Sequence, residues 1–292
     1  TGSTSRRPST FTVEASTSIR LPTEYPDEPP FSGHDRCVPP LREVRTALDH
    51  ARPHRRLRRA VVALRPVSAS PMTLLDLFCG AGGAAMGYHR AGFTEIVGVD
   101  IKPQPRYPFA FVLGDALDYV RAHGHEFDAI HASPPCQAYC YLAAIHRHNG
   151  DDRPRLIEPV RALLRGTGKP YIIENVQGAP LRPAVLLCGS AFGLRVRRHR
   201  LFESSILLFQ PPHRHREQGR SVGVYGHQGS GSLRPREAGG PFIRARDRQD
   251  AGDALGIDWM SWRELTQAIP PAYTEFIGRQ LLTILQRSEA GP

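Results

Sequence analysis

From residue 73 onward, short apolar runs alternate with segments of helical character, and this alternation limits the possible folds more than any other feature of the chain. Strands that alternate with helices are typical of a mostly parallel sheet. We therefore predict an α/β protein built on a doubly wound, mostly parallel sheet. The predicted strands lie within 73–78, 95–101, 109–116, 127–136 and the second half of 157–176, and the predicted helices cover 84–93 and the first half of 157–176.

The segments that flank this region differ from it in composition. Residues 1–71 are basic and rich in Pro and Ser. This composition indicates an N-terminal arm that is disordered, loosely helical or not native. The functional alternative is an arm that binds the DNA backbone. Residues 72–208 form the predicted catalytic domain. Residues 209–257 are rich in Gly, Arg and His and are expected to be an irregular, mobile insertion, whereas 258–292 contain a helix with an apolar stripe.

The charge balance favours a polyanionic partner. The 292 residues contain 38 Lys and Arg against 28 Asp and Glu, which gives a formal net charge of +10 and a pI near 9.8. Nucleic acid is the leading candidate for such a surface. We expect a cytoplasmic protein, because no apolar run is long enough to span a membrane and no signal peptide opens the sequence.

The cysteines do not indicate a disulfide scaffold or a structural metal site. Their number, five, is odd, and no CxxC pair is present. The His-rich run 213–216 lacks further ligands at a fixed spacing, so we interpret it as a basic loop that faces DNA and expect no metal. Cys79 and Cys140 are expected to be packing residues. Cys136, directly behind two prolines, is either buried filler or a nucleophile.

A glycine-rich turn after the first strand indicates a cofactor site. The turn at 80–83 would let a ligand approach the backbone closely. Asp100 ends the second strand and can accept hydrogen bonds from both ribose hydroxyls of an adenosine-type cofactor. Asp115, after the third strand, can accept one from an adenine amino group. These features alone leave NAD(P) and S-adenosylmethionine equally open, since the turn also passes as a dinucleotide fingerprint.

Three motifs in a fixed order, the first of which contains this turn, distinguish between these cofactors. DLFCGAGG (76–83), SPPCQ (133–137) and ENV (174–176) resemble the first motif, the nucleophile loop and the carboxylate motif of the DNA (cytosine-5)-methyltransferases. RRHR (197–200) resembles the arginine motif that follows them in that family. The order and spacing of all four make the resemblance specific.

The resemblance is detailed over 73–208 and looser over 262–285, and it implies a Rossmann-like methyltransferase that uses S-adenosylmethionine on double-stranded DNA. Cys136 would add to C6 of a cytosine flipped out of the duplex. Glu174 would stabilise the ring at N3 while the methyl group passes to C5. Residues 209–257 would then be a short target-recognition region.

Other residues receive roles from the same resemblance. Arg200 would contact cytosine O2, and Arg198 would help to hold the nucleophile loop and the base. Asn175 would fix the backbone around Pro135. The residues expected to contact S-adenosylmethionine, or S-adenosylhomocysteine as the product, are Asp76, Phe78, Gly80, Ala81, Gly82, Gly83, Asp100, Ile101, Asp115, Ala116, Pro134 and Ile269. The resemblance also implies a monomer in a bacterial or phage-infected cell, with a cognate restriction enzyme as a candidate partner.

The sequence departs from the family pattern at three places. Asp100 replaces the usual Glu, and Val196 replaces the Gln that commonly opens the arginine motif. Thr266 and Gln267 replace the Gly-Asn pair of the last motif. The recognition region is also short. Three alternatives therefore remain: the enzyme methylates cytosine in tRNA, it transfers another group from a different donor, or it is a catalytically silent DNA-binding regulator on the same fold. An NAD(P)-dependent oxidoreductase is a more distant one.

Overall fold

The computed structural model describes residues 71–139, 153–226 and 242–289. The N-terminal arm, Cys37 and Cys140 lie outside these residues. The described strands are β1 (Thr73–Leu77), β2 (Glu95–Asp100), β3 (Ala110–Leu113), β4 (Ala129–Ala132), β5 (Tyr171–Asn175), β6 (Ala184–Leu187), β7 (Arg200–Ser204), β8 (Ser221–Gly223) and β9 (Phe242–Arg244). The described α-helices are α1 (Gly83–Ala91), α2 (Ala116–His123), α3 (Ile157–Gly166), α4 (His215–Gln218), α5 (Arg248–Leu255), α6 (Trp262–Gln267) and α7 (Pro271–Glu289).

Seven of the strands form one sheet in the order β3-β2-β1-β4-β5-β7-β6. The strands β1 to β5 pair in parallel, and β7 runs antiparallel to both of its neighbours. The chain leaves β1 towards β2 and β3, then returns to place β4 on the other side of β1, which creates a topological switch point between β1 and β4. The predicted doubly wound, mostly parallel α/β sheet is confirmed.

The central strands β1, β4 and β5 are buried along almost their whole length, because helices cover both faces of the sheet. Leu74 and Leu75 are adjacent and fully buried, yet they belong to different apolar clusters. Since side chains alternate across a strand, the two leucines face opposite sides of the sheet. Each contributes about 1.5–3 kcal/mol of stabilisation by its burial. The sheet therefore has two cores, one with Tyr88 and Tyr273 and one with Leu164.

The C-terminal helix α7 packs on α1 through two glycines. A Cβ atom at Gly87 would lie 2.0 Å from the Thr274 hydroxyl oxygen, and one at Gly278 would lie 2.7 Å from the Cβ atom of Ala91. The Thr274 hydroxyl donates to the carbonyl of Ala84 at 2.8 Å. The backbones of α7 and α1 therefore pack closely against each other. This packing places residues 264–269, which precede α7, at the carboxyl edge of the sheet.

A buried ion pair fixes the antiparallel strand β7. Arg161 on α3 donates from Nε and Nη2 to the two carboxylate oxygens of Glu203, each at 2.6 Å, and Nη2 also donates to the carbonyl of Pro180 at 2.8 Å. Both side chains are buried. Two parallel hydrogen bonds set the orientation as well as the position of the partner, so β7 is held in the register that places its first residue at the carboxyl edge of β5.

Residues 209–257, where the sequence predicts an irregular insertion, contain short elements in their described parts. The helices α4 and α5 and the parallel pair of β8 and β9 lie here. Apolar side chains from this region and from α6 form a third cluster, which includes Val222, Leu255 and Trp262. Three-residue strands between runs of Gly and Arg carry too little periodicity to be recognised in a sequence. In the described part of the chain, no helix combines the length and the apolar character needed to cross a membrane.

Candidate active site

A cavity of about 430 Å³ opens at the carboxyl edge of the sheet, beside the switch point between β1 and β4. Ligands of doubly wound sheets bind at this position. The glycine-rich turn, the proline–cysteine loop, the ends of β2 and β5, and residues 264–269 form its walls. The predicted site residues that line it are Asp76, Phe78, Gly80, Ala81, Gly83, Asp100, Ile101, Pro134, Pro135, Cys136, Glu174, Arg200 and Ile269.

Close packing explains two glycines of the turn, Gly82 and Gly83. Gly82 has φ of 81°, and a Cβ atom there would lie 2.6 Å from Cδ of Pro108. A Cβ atom at Gly83 would lie 2.4 Å from the carbonyl oxygen of Ile269. The indole Nε1 of Trp259 donates to the carbonyl of Ala81 at 2.8 Å. The turn is therefore clamped between the segment after β2 and the segment before α7.

Two carboxylates stand next to this turn with different surroundings. Asp100 accepts from the backbone N–H of Gly80 at 3.1 Å and from that of Lys102 at 2.9 Å. Asp76 is fully buried, and its burial, with a smaller effect of the Asp100 charge, raises its pKa to about 8. The hydroxyl of Tyr107 donates to its Oδ2 at 3.2 Å, while Oδ1 has no hydrogen-bond partner among the described residues. A buried acceptor without a donor indicates a ligand contact.

The loop that carries Cys136 is tied down on both sides. The N–H of Ser133 donates to the carbonyl of Leu77 at 3.1 Å, which continues the β1–β4 pairing past the end of the strand. The side-chain amide of Asn175 is buried and donates from Nδ2 to the carbonyl of Pro134 at 2.9 Å. After the cysteine, the N–H of Tyr139 donates to the carbonyl of Cys136 at 2.9 Å. Cys136 itself is half-buried and lines the cavity.

Glu174, near the end of β5, faces the same cavity. Burial raises its pKa, and the Arg200 charge, a hydrogen bond from Ser133 and the Arg198 charge oppose this effect. Nε of Arg200 lies 3.1 Å from Oε1 of Glu174. The two residues meet because β7 is antiparallel to β5, with Glu174 opposite Phe202, so β7 begins where β5 ends. A raised pKa favours the protonated carboxyl group, which can donate a hydrogen bond.

Arg198 is buried but does not line the cavity. Its φ is 37°, an uncommon value for a residue with a side chain. Nη2 donates to the carbonyl of Thr266 at 2.6 Å, and Nε has no partner among the described residues. Burial, with the Arg200 charge next, lowers its pKa to about 9. The contact with Thr266 joins the arginine motif to the last motif, while the predicted role in holding the nucleophile loop and base stays a prediction.

Three of the residues expected to contact the cofactor lie outside the lining of this cavity, namely Gly82, Asp115 and Ala116. Asp115 caps helix α2, where Oδ1 accepts from the backbone N–H groups of Leu117 at 2.8 Å and Asp118 at 3.1 Å. An N-cap satisfies helix donors that would otherwise lack a partner. The expected contact of Asp115 with an adenine amino group stays a prediction.

A chain of buried polar groups behind Glu174 has no counterpart in the sequence motifs. The hydroxyl of Tyr88 lies 3.0 Å from Nδ1 of His131, and Nε2 of His131 lies 2.9 Å from Oγ of Ser133. Ser133 in turn hydrogen-bonds Glu174. Burial lowers the pKa of His131 to about 3, so its ring is neutral and can accept at one nitrogen and donate at the other. His131 was missed because a histidine within a buried strand has no distinguishing spacing.

Comparisons with known proteins agree with this arrangement. Residues 72–181 match the family described as C-5 cytosine-specific DNA methylase. The Type II methyltransferase M1.HphI of Haemophilus parahaemolyticus is 33% identical over 120 residues, and M.AquIA of Picosynechococcus sp. is 30% identical over 125 residues. Each match covers 36% of this chain, but only 32% and 48% of the two relatives, respectively. The chain thus spans about a third to a half of their lengths.

A solved structure matches a larger part of the chain. It is a protein assigned as a DNA modification methyltransferase encoded within a prophage of E. coli, and the match covers 74% of this chain and 99% of that one with a TM-score of 0.51. The sequence identity is 16%, so this likeness concerns the fold. The resemblance drawn from the four motifs is confirmed by the family match and the relatives.

Proposed function

We propose that the protein is a DNA cytosine C5-methyltransferase, since residues 72–181 match the C-5 cytosine-specific DNA methylase family. The observation that carries the proposal is the meeting of Cys136, Glu174 and Arg200 in one cavity with the glycine-rich turn. The three side chains come from the loop after β4, from β5 and from β7, so only the folded sheet brings them together. A nucleophile, a carboxyl group and a cation in one cavity fit covalent catalysis on a pyrimidine ring.

The turn side of the cavity fits S-adenosylmethionine. That molecule carries a cationic amino group, two ribose hydroxyls and, on its sulfonium, the electrophilic methyl group that the reaction needs. Asp76 offers Oδ1, a buried acceptor that has no donor among the described residues, and would accept from the amino group. Asp100 lies at the end of β2, where a carboxylate binds ribose hydroxyls. Its side chain is shorter than the usual Glu, but its hydrogen bond from Gly80 places it against the turn.

The other side of the cavity fits a flipped cytosine. The thiolate of Cys136 would form a bond to C6, and the electron pair of the C5–C6 double bond would then form a bond from C5 to the methyl group. The bond between this methyl group and sulfur would break at the same time, and its electron pair would stay on the sulfur of S-adenosylhomocysteine. Glu174 would share its proton at N3 and so absorb the charge that develops on the ring. Loss of the C5 proton to a base restores the double bond and expels the thiolate, so the enzyme returns to its starting state.

The neighbours of Glu174 would keep it ready for this role. Nε of Arg200 lies 3.1 Å from Oε1 of Glu174, and the guanidinium would also contact cytosine O2. If the Ser133 hydroxyl donates to Glu174, then Nε2–H of His131 donates to Ser133 and the Tyr88 hydroxyl donates to Nδ1. Such a directed chain would fix the carboxyl plane without adding a charge beside it.

Nucleosides from digested plasmid DNA, measured by mass spectrometry, test the proposal. We expect 5-methylcytosine in DNA from cells that express the wild type, none with Cys136→Ser, and wild-type levels with the control Cys140→Ser, whose cysteine lies in the same sequence segment. Bisulfite sequencing of the same DNA then gives the recognition site. If the plasmid is unmodified but tRNA from the same cells contains 5-methylcytosine, the substrate is RNA and not DNA. If neither is modified, the result favours a silent DNA-binding regulator.

A further inference from the structure

A cluster of one cysteine and three histidines lies outside the lining of the catalytic cavity. Cys188, His199, His213 and His215 each offer one ligand atom, and these four atoms all lie within 4.8 Å of one another. Cys188 follows β6, His199 precedes β7, and the other two stand at the beginning of α4. Cys188 is buried, and the three histidines are half-buried. None of the four has a role in the proposed methyl transfer.

The distances within the cluster suit a tetrahedral metal ion. Sγ of Cys188 lies 3.1 Å from Nε2 of His215. The three imidazole rings surround a common centre, with ring centroids 5.1–5.3 Å apart in every pair. Ligand atoms at about 2.0–2.3 Å from a tetrahedral ion are separated from one another by roughly 3.3–3.8 Å. The observed spacing reaches this range with small side-chain rotations.

Neighbouring groups already orient two of the ligands. The hydroxyl of Ser190 donates to Sγ of Cys188 at 3.2 Å, which fixes the direction of the sulfur. Nε2 of His213 lies 3.2 Å from the carbonyl oxygen of Leu186, and donation to that oxygen leaves Nδ1 as the unprotonated, metal-binding nitrogen. Such outer contacts fix the tautomer and the ring plane of ligating histidines.

We propose that Cys188, His199, His213 and His215 bind one Zn²⁺ ion in a closed, four-coordinate structural site. A thiolate with imidazoles is a donor set that zinc prefers, whereas magnesium and calcium require oxygen ligands. Four protein ligands leave no open position for a substrate, so the site has a structural role. The sequence predicts no metal here, because only the His213–His215 pair is visible as a motif and the fold supplies the other two ligands from separate strand ends.

The site would connect the catalytic edge to the recognition region. His199 stands between Arg198 and Arg200, and Nη1 of Arg200 donates to the carbonyl of His199 at 2.9 Å. The segment with His213 and His215 opens the region expected to read DNA. A metal bound by both segments would hold the arginine motif against that region and would keep Arg200 beside Glu174. Binding of the ion to the folded state alone would also stabilise the fold.

Metal analysis of the untagged full-length protein tests the proposal directly. We expect about one Zn²⁺ per chain by mass spectrometry of the elements for the wild type and for the control His125→Ala, whose histidine is exposed and outside the cluster. The double variant His213→Gln, His215→Gln and the variant Cys188→Ser should lose this zinc. Replacement of zinc by Co²⁺ should give a sulfur-to-metal charge-transfer band that Cys188→Ser removes.

A milder variant covers the case in which the others fail to fold. His213→Gln removes a half-buried ligand, and we expect it to release zinc to a competing chelator at least about tenfold more readily than the wild type. The proposal is overturned if the purified wild type holds no zinc, if the wild type and His213→Gln release zinc equally readily, or if added Co²⁺ gives no thiolate band with the folded wild type. Metal content is independent of methyl transfer, so this result stands whether or not the protein methylates DNA.

Discussion

Replacement of Asn175 by Ala removes the side-chain contact that holds the backbone just before the proposed nucleophile. Nδ2 of Asn175 donates to the carbonyl of Pro134 at 2.9 Å, and Oδ1 accepts from the N–H of Val176 at 3.0 Å. Asn175 is 1% exposed, so the variant leaves the Pro134 carbonyl and the Val176 N–H without these partners. An unsatisfied buried group costs about 1–3 kcal/mol. We expect the free energy of unfolding to fall by that amount.

The same contact determines where Cys136 stands, so the catalytic rate should also fall. If about 1–3 kcal/mol of positioning is lost in the transition state, kcat/KM for DNA falls roughly 5- to 150-fold. The KM for S-adenosylmethionine should change little, because Asn175 is not among the residues that line the cavity. Denaturant unfolding measures the first effect, and steady-state methyl transfer to DNA measures the second.

The variant Asn175→Asp is the matched comparison. It keeps an acceptor for the N–H of Val176 but turns a second oxygen towards the Pro134 carbonyl, which repels it. We expect Asn175→Asp to lose at least as much kcat/KM as Asn175→Ala. The reasoning fails if Asn175→Ala unfolds within about 0.5 kcal/mol of the wild type and methylates DNA at the wild-type rate.

Three other substitutions test separate parts of the account. Asp76→Asn should weaken S-adenosylmethionine binding and make the unliganded protein more stable than the wild type above pH 7. The folded pKa of Asp76, about 8, lies above the unfolded value, so the stability that the wild type has below the unfolded pKa is lost progressively as the pH rises from about 4 to 8. We expect this loss to be roughly 4 kcal/mol between pH 5 and pH 8.5 in the wild type and absent in Asp76→Asn, which denaturant unfolding at the two pH values measures. Glu174→Gln should lower kcat. In the wild type, we expect activity to fall at high pH because Glu174, whose pKa is raised, loses its proton, and the variant should lack this fall. A pH profile of kcat for both proteins checks this. Gly87→Ala should cost about 1–3 kcal/mol in denaturant unfolding, since its Cβ would overlap the Thr274 hydroxyl on α7, and an unchanged stability would contradict the close packing of the two helices.

Much of the sheet could be predicted because its strands are short apolar runs with chemistry at their ends. The strand at Thr73–Leu77 and the one at Glu95–Asp100 were each predicted to within one residue, since Asp and Gly bound them. The strand at Ala129–Ala132 is shorter than the predicted range 127–136, because Ser133 and the prolines leave the strand and form the loop of Cys136. Periodicity finds the apolar core of a strand more reliably than its ends.

The parts that the sequence could not give depend on contacts between distant segments. His131 lies within hydrogen-bond distance of Tyr88 and Ser133, and neither partner is recognisable before the fold is known. Cys188 and His199 lie in other segments than His213 and His215, so no local motif joins them. Asp115 lies two residues after β3 and caps the next helix, and the sequence alone does not distinguish a ligand contact from this N-cap.

The central claim is that Cys136 forms a covalent bond with cytosine. A duplex with 5-fluorocytosine at the methylated position tests it, because fluorine at C5 cannot be removed as a proton and the adduct cannot resolve. We expect a protein–DNA complex that survives denaturing gel electrophoresis, forms only with S-adenosylmethionine, and gives a peptide in which Cys136 carries the modified base. If no such complex forms, or if Cys136→Ser forms it equally, the claim is contradicted.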